Sequence, residues 1–233
     1  MLLNIDRVLQ LLAEGKSIEK IAEYTEGSLL LKTEAHIAHL LTDSRAMSFP
    51  ESTLFFAIKT ARNDGHNYLS DLYRQGVRNF VVSHSVENES DMPEANFIRV
   101  NNTVEALQRL IIKHRGQFQI PVIGVTGSNG KTIVKEWLYQ LLREDYVITR
   151  SPRSYNSQIG VPLSVSEINE QTQLGIFEAG ISFRGEMEQL RLIVAPTIGI
   201  FTHLGDAHQE NFTSLKEKCL EKLQGFFAFA IYD

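Results

Sequence analysis

Residues 120–134 read Ile-Pro-Val-Ile-Gly-Val-Thr-Gly-Ser-Asn-Gly-Lys-Thr-Ile-Val. No other stretch narrows the fold as much. An apolar run of strand type passes into a glycine-rich turn, then Lys-Thr, then a segment with helical spacing. Glycines let such a turn curl until several N–H groups face one anion, and the helix that follows adds the positive end of its dipole. The pattern predicts a phosphate-binding loop formed by Gly127, Ser128, Asn129, Gly130, Lys131 and Thr132. Lys131 would reach the outer phosphates of a nucleotide and the Thr132 hydroxyl would hold Mg²⁺. The common form, Gly-x-x-x-x-Gly-Lys-Thr, has its first glycine at 125; this chain has Val125 there, with glycines at 124, 127 and 130. A tight turn beside a surface lysine is the alternative, and the strand–loop–helix context argues against it.

From about residue 117 onward, strand and helix patterns alternate. Strands are predicted at 120–126, 146–149, 173–178, 197–202 and 226–232, and helices at 131–143, 185–193 and 213–224. Such alternation implies a parallel sheet with right-handed crossovers. The first half is less regular. Helical spacing is expected over 4–14, where Gly15 would end it, and over 18–24, where Ser17 would cap it. Strands are expected at 53–58 and 78–83, a helix over 67–75, a polar loop over 84–96, and a helix opened by Asn102 and Glu105 and ending near Gly116. The fold class is therefore α/β: a small N-terminal α/β domain over 1–116, then a P-loop parallel-sheet domain over 117–233. The chain stops at Tyr232-Asp233, directly after an apolar run, so Asp233 reads as a cut and the second domain as truncated.

Composition excludes several classes. A net charge of -5 argues against a basic nucleic-acid-binding face. One cysteine, Cys219, rules out an intrachain disulfide framework. Asp6 and Arg7 interrupt any signal-peptide core, and no run reaches the ~18 apolar residues of a membrane helix. The expected location is the cytoplasm.

Ligands of parallel α/β sheets sit at the carboxyl ends of the strands. The glycine loop follows one such end, Glu178 closes the apolar Leu174-Gly-Ile-Phe177, and Thr202-His203 close a third, with His208 just beyond. A lysine, a hydroxyl, a carboxylate and a histidine thus meet at one edge. That set suits chemistry in which an anion approaches a polyphosphate, where charge must be neutralised and groups held in line.

Several segments together resemble the Mur ligases. Thr126-Gly-Ser-Asn-Gly-Lys-Thr132 is similar to their variant loop, which folylpolyglutamate synthases share. Ser154-Tyr-Asn-Ser-Gln-Ile-Gly-Val-Pro-Leu163, Glu178-Ala-Gly-Ile-Ser-Phe-Arg-Gly-Glu-Met187 and Gly205-Asp-Ala-His-Gln-Glu-Asn-Phe212 resemble later family segments in the same order. Thr42-Asp-Ser-Arg45 with Asp64-Gly-His66 resembles the domain that binds the UDP part of a cell-wall precursor. Lys131-Thr-Ile-Val-Lys-Glu136 with Ile159-Gly-Val-Pro162 is most similar to the branch that adds D-alanyl-D-alanine to UDP-N-acetylmuramoyl-tripeptide, and Ala-His-Gln-Glu-Asn-Phe also resembles the ligase half of ligase–alanine racemase fusions.

The resemblance implies an ATP-dependent amide-bond ligase of peptidoglycan synthesis that works through an acyl phosphate. It implies a second Mg²⁺, held by Glu178 and His208 beside the one at Thr132, with Asn156 near the nucleotide phosphates and Lys131 and His208 in the catalytic machinery. It further implies that Lys222 is carbamylated by CO₂ and becomes an anionic metal ligand, although Lys216 and Lys218 lie close enough to be confused with it. Ser44 and Arg45 would hold the uracil or the diphosphate. Two positions depart from the pattern: Ile133 stands where relatives often carry a hydroxyl residue, and His203 where an asparagine is expected. The C-terminal domain that brings the amine is absent, so residues 1–233 alone are expected to show little ligase activity. A folylpolyglutamate synthase-like ligase, a non-catalytic nucleotide-binding module of the same fold and an ordinary P-loop kinase or ATPase are the competing readings.

Overall fold

The structure, a computed structural model, describes residues 9, 10, 15–61, 63–205, 212 and 214–226. The chain forms two compact units, Met1–Leu110 and Ile111–Asp233.

In the first unit the elements run β1 (Leu9–Gln10), β2 (Lys16–Ser17), α1 (Ile18–Thr25), β3 (Ser28–Leu30), β4 (His36–Ile37), β5 (His39–Leu41), β6 (Thr53–Phe56), α2 (Leu69–Arg74), β7 (Asn79–Val82) and β8 (Asn96–Arg99). Helix α3 (Thr103–Arg115) follows. Six strands form one sheet in the order β1-β5-β6-β7-β8-β3, parallel in its centre and antiparallel at both edges, and β2 pairs with β4. The expected helix over 4–14 falls largely outside the described residues. Where it is described, Leu9 and Gln10 pair as a strand with Leu40 and His39. The edge of β5 offers those two residues backbone hydrogen bonds, and tertiary pairing outranks helical spacing in so short a stretch.

Local signals explain the other starts. Ser17 caps α1 by accepting from Lys20 N at 3.3 Å, and Asn102 Oδ1 accepts from Val104 N and Glu105 N while its amide donates to Glu105. The core of this unit packs Phe55, Leu72, Phe80 and Phe97 around the sheet, with the rings of Phe80 and Phe97 stacked at 5.6 Å. Each such burial contributes roughly 2 kcal/mol. Two asparagines inside it are satisfied: Asn96 donates to Asn79 at 2.8 Å and accepts from Lys32 N and Thr33 N.

The second unit carries β9 (Val122–Thr126), α4 (Lys131–Leu142), β10 (Ile148–Arg150), α5 (Gly160–Val165), β11 (Leu174–Ala179), α6 (Glu186–Val194), β12 (Ile198–Phe201) and α7 (Leu215–Phe226). Four strands form a parallel sheet in the order β10-β11-β9-β12, as the alternating pattern predicts. The strand expected at 226–232 lies outside the described residues, apart from Phe226, the last residue of α7. One face of α4, Val134, Leu138 and Leu142, packs on Ile123, Val125 and Ile176 of the sheet. The register sets Glu178 beside Val125, and Ala179 and Phe201 on either side of Thr126. Three strands therefore end at one level, and that level is where the glycine loop begins.

Candidate functional site at the strand ends of the second unit

The glycine loop is braced from the end of β12. Ser128 N donates to His203 O at 2.6 Å, Ser128 Oγ donates to Gly205 O at 3.1 Å, and Thr202 Oγ1 donates to Asn129 O at 2.6 Å. Gly127 has φ of +142°, and a Cβ there would collide with Thr202 Oγ1 and crowd the His203 backbone. Only glycine fits that close approach. Lys131, the first residue of α4, curls back so that its ammonium donates to Gly127 O at 2.8 Å and Ser128 O at 3.3 Å. Burial lowers its pKa, Lys218 adds to the shift and Glu178 opposes it.

Thr132 and Glu178 meet as the sequence predicts. Thr132 Oγ1 donates to Glu178 Oε2 at 3.1 Å and lies 3.3 Å from Ser154 Oγ. Glu178 is fully buried. Lys135 Nζ stands 3.1 Å from its Oε1 but out of hydrogen-bonding alignment, so the contact supplies charge while Oε1 keeps its lone pairs unpaired. Glu178 Oε2, buried beside a hydroxyl at the start of a helix, forms with it a set of hard oxygen donors that fits Mg²⁺. The loop, with its glycines and its lysine, fits a nucleotide phosphate.

Helix α7 sets two lysines on one face, four residues apart. Lys218 Nζ donates to Gly205 O at 2.6 Å, and Lys222 Nζ reaches Gly127 O at 3.4 Å, the carbonyl that Lys131 also uses. Both are buried and Lys216 is exposed. Burial, followed by the nearby charges of Lys131 and Lys218, lowers the Lys222 pKa to about 8. The geometry thus separates Lys222 from its neighbours: it is the one of the three whose ammonium points at the glycine loop. Gly127, Lys131, Asn156, Gly180, Glu186 and Lys222 are among the residues that line a cavity of about 300 Å³. Asn156 is held at its wall, its carbonyl accepting from Gly180 N at 2.8 Å, and a Cβ on Gly180 would crowd the Asn156 side chain. His208 lies outside the described residues.

In the first unit, Ser44 and Arg45 form a short 3₁₀ turn, Ser44–Ala46, opened by Asp43. The Arg45 guanidinium makes two bonds to the Asp43 carboxylate, at 2.9 and 2.6 Å, and is 86% exposed. That bond holds the Asp43 carboxyl below its usual range. Asp64, His66 and His84 bring a carboxylate and two imidazoles within 4.8 Å of one another. They do not make a ready metal site. Ser83 N donates to His66 Nε2 at 3.0 Å, so the proton sits on Nδ1, which faces Asp64 Oδ1 at 2.6 Å. Both ring nitrogens are engaged, and burial together with His84 and Lys59 lowers the His66 pKa against the pull of Asp64.

Sequence reasoning missed two contributors to the site. Lys135 is fully buried, and its ammonium donates to Ser151 O at 2.8 Å and Arg153 O at 2.6 Å. Thr202 acts as the brace of the loop. The helical pattern alone carries no signal that Lys135 is buried, because its partners lie 16 to 43 positions ahead. Thr202 was legible only as a strand end.

Comparison with known proteins adds the following. Residues 36–115 match the family model described as Mur ligase family, catalytic domain, and residues 125–229 match Mur ligase middle domain. The chain is 32% identical over 216 residues to the UDP-N-acetylmuramoyl-tripeptide–D-alanyl-D-alanine ligase of Bacillus subtilis, covering 90% of this chain and 46% of that protein. It is 35% identical over 181 residues to the protein of the same name from Rickettsia prowazekii, covering 77% and 39%. Among solved structures, MurF from Acinetobacter baumannii superposes with a TM-score of 0.79 at 26% identity, over 93% of this chain and 48% of that one. MurF ligase from Thermotoga maritima, solved in complex with ADP, gives 0.70 at 28% identity, over 79% and 42%. The chain spans about half the length of the relatives it matches.

Proposed function

Because the chain belongs to the Mur ligase family, we propose that its protein is an ATP-dependent amide-bond ligase that adds D-alanyl-D-alanine to UDP-N-acetylmuramoyl-tripeptide in peptidoglycan precursor synthesis. The observation that carries this reading is the meeting of Thr132, Glu178, Lys131 and Lys222 around one braced glycine loop. The names of the relatives at 32–35% identity supply the substrate pair. On this reading residues 117–233 hold ATP and residues 1–116 hold the UDP part of the precursor.

ATP, with Mg²⁺, would supply the phosphoryl group that turns a substrate carboxylate into an acyl phosphate, leaving ADP, and the incoming amine would displace phosphate to form the amide. The chain's own residues make that possible in four ways. The start of α4 and the glycine-loop N–H groups, apart from that of Ser128, which donates to His203 O, would face the phosphates. Lys131, now on two loop carbonyls, would neutralise charge that builds on the outer phosphate. Thr132 and Glu178 would hold the metal, with His208 completing the set, and Asn156, in the cavity wall, would orient the phosphates. Lys222, its pKa lowered to about 8 by burial and the charges of Lys131 and Lys218, would offer free amine for carbamylation and could then join the metal ligands. Ser44 and Arg45 would bind the diphosphate or uracil, Arg45 through its paired donors.

Among the described residues no helix is long and apolar enough to cross a membrane. The proposed substrates are ATP and a nucleotide-linked precursor, and the cytoplasm is where both are at hand.

Phosphate release from ATP by the protein at its full natural length tests the proposal. Release that needs both UDP-N-acetylmuramoyl-tripeptide and D-alanyl-D-alanine is expected. Release with a folate and glutamate instead would move the protein to the sister enzymes and remove the roles given to Ser44 and Arg45.

A further inference from the structure

We propose that Lys135 is a positioning residue for the metal-binding carboxylate: its ammonium ties α4, the segment 151–153 and the end of β11 together so that Glu178 presents Oε2 beside Thr132 Oγ1. The inference rests on the reading of Thr132 and Glu178 as metal ligands and adds to it a residue whose burial that reading leaves unexplained.

A lysine with no exposed surface is costly unless its charge and protons are used. Lys135 uses them across three chain segments. Two protons go to Ser151 O at 2.8 Å and Arg153 O at 2.6 Å. The remaining charge lies 3.1 Å from both Glu136 Oε1 and Glu178 Oε1. Ser151 is itself built into the strand end, its N–H donating to Ile176 O and its hydroxyl accepting from Glu178 N, each at 3.1 Å. One ammonium thus fixes the carboxylate from one side and, through Arg153 O, the backbone that carries Ser154 to within 3.3 Å of Thr132 Oγ1. Attraction to Lys135 draws Oε1 away from Thr132, and Oε2 is left on the hydroxyl. Glu178 then offers the metal one oxygen in a set direction. Without the ammonium, neither the rotamer of Glu178 nor the path of 151–154 is held by charge.

The test uses the 233-residue chain with ADP, and Mn²⁺ as the metal probe, followed by its paramagnetic resonance signal. Lys135→Met keeps an apolar stem as far as Cε and removes the ammonium. The expected result is Mn²⁺ binding weakened about 10–100-fold, the range for losing a group that orients a metal ligand, with ADP affinity in EDTA unchanged. A merely structural lysine would lower the melting temperature and move both affinities together or neither. A folded Lys135→Met that binds Mn²⁺ as tightly as the parent chain, or more tightly, overturns the proposal. Should the methionine variant fail to fold, Lys135→Gln, one bond shorter but still a donor to the carbonyls, is read by the same two affinities. Glu178→Gln separates the layers. If it leaves Mn²⁺ binding intact, the metal reading itself falls and this proposal falls with it. If it weakens binding and Lys135→Met does not, only the role of Lys135 is lost.

Discussion

The two units treat charge in opposite ways. In Met1–Leu110 the ionic pairs sit at the surface or lie half-buried with every partner in reach: Arg45 on Asp43, Lys20 on Glu23, His66 between Asp64 and Ser83 N. In Ile111–Asp233 the strand ends gather Lys135, Glu178, Lys218 and Lys222 with almost no exposed surface, three of them positive. Burying charge is expensive, and a lone pair of charges rarely recovers the cost. A fold that gathers buried cations at these strand ends and sets a buried carboxylate beside a hydroxyl there offers charges and donors that a polyanion and a metal would balance. The first unit carries no comparable burden among its described residues, so any ligand it binds meets exposed groups and pays little to displace water.

The largest effect that can break this contrast concerns backbone fit. Gly127→Ala adds a Cβ that collides with Thr202 Oγ1 at a φ of +142°. It should cost about 4 kcal/mol through strain and overpacking and abolish measurable ADP binding. Gly65→Ala in the first unit is the control: its Cβ would lie 2.7–2.9 Å from the backbone of Ala57 and Ile58. It should cost about 2 kcal/mol and leave ADP binding by calorimetry unchanged. Equal loss of ADP binding in both would show that the two units do not separate their tasks. Next in size is Glu178→Ala, which leaves Lys135 buried without its carboxylate. Loss of about 3 kcal/mol in urea unfolding is expected, the lower end for a broken buried pair, because Lys135 keeps two carbonyls and Glu136.

The contrast also governs what could be read from sequence. The second unit was legible because buried parallel strands appear as apolar runs, Val122–Thr126 and Leu174–Ala179, punctuated by glycine. The short strands of the first unit were not: Ser28–Leu30, His36–Ile37 and His39–Leu41 are too short to show a period, and pairing with other segments fixes them. Helix α5 escaped for a different reason. Gly-Val-Pro-Leu-Ser-Val shows no helical spacing of apolar against polar residues, since all six are buried; Pro162 sits in the first turn where its missing N–H costs nothing, and Ser157 Oγ accepts from Gly160 N. In the site, Lys131, Thr132 and Glu178 were visible because local motif and strand end coincide. Lys135 and the bracing role of Thr202 were not, since each depends on contacts made across the sheet.

A smaller effect sharpens the comparison through two lysines. Competitive labelling with trace acetic anhydride should give Lys222 a midpoint near 8, set by burial and the charges of Lys131 and Lys218. Lys20, bonded to Glu23 at the surface of the first unit, should titrate above its usual range. The sign for stability follows. Lys222 binds its proton less tightly in the folded chain than in the unfolded one, so its contribution to stability rises as pH climbs from about 8 to 10.5 and is least favourable below 8. ADP should push the Lys222 midpoint upward, because a diphosphate near Gly127 favours the ammonium. An unmoved midpoint would place the nucleotide away from Lys222.

The smallest effect lies in the first unit and tests whether an exposed group can bind without supporting the fold. Arg45 is nearly free of the protein body, and so exposed an ion pair contributes little to stability. Arg45→Ala should therefore leave the unfolding midpoint almost where it was. If Arg45 meets a diphosphate, the same change should weaken UDP binding to the chain about tenfold, since paired guanidinium donors are lost. Asp43→Asn separates anchoring from contact. The asparagine Oδ1 still accepts from Arg45 N and keeps the 3₁₀ turn, while the charge that steadies the guanidinium is gone. A loss of about two- to threefold in UDP affinity is the expected outcome if Asp43 only orients Arg45. Tighter UDP binding would mean that Asp43 competes with the diphosphate for the same donors, and the exposed pair would then be a gate that the ligand opens.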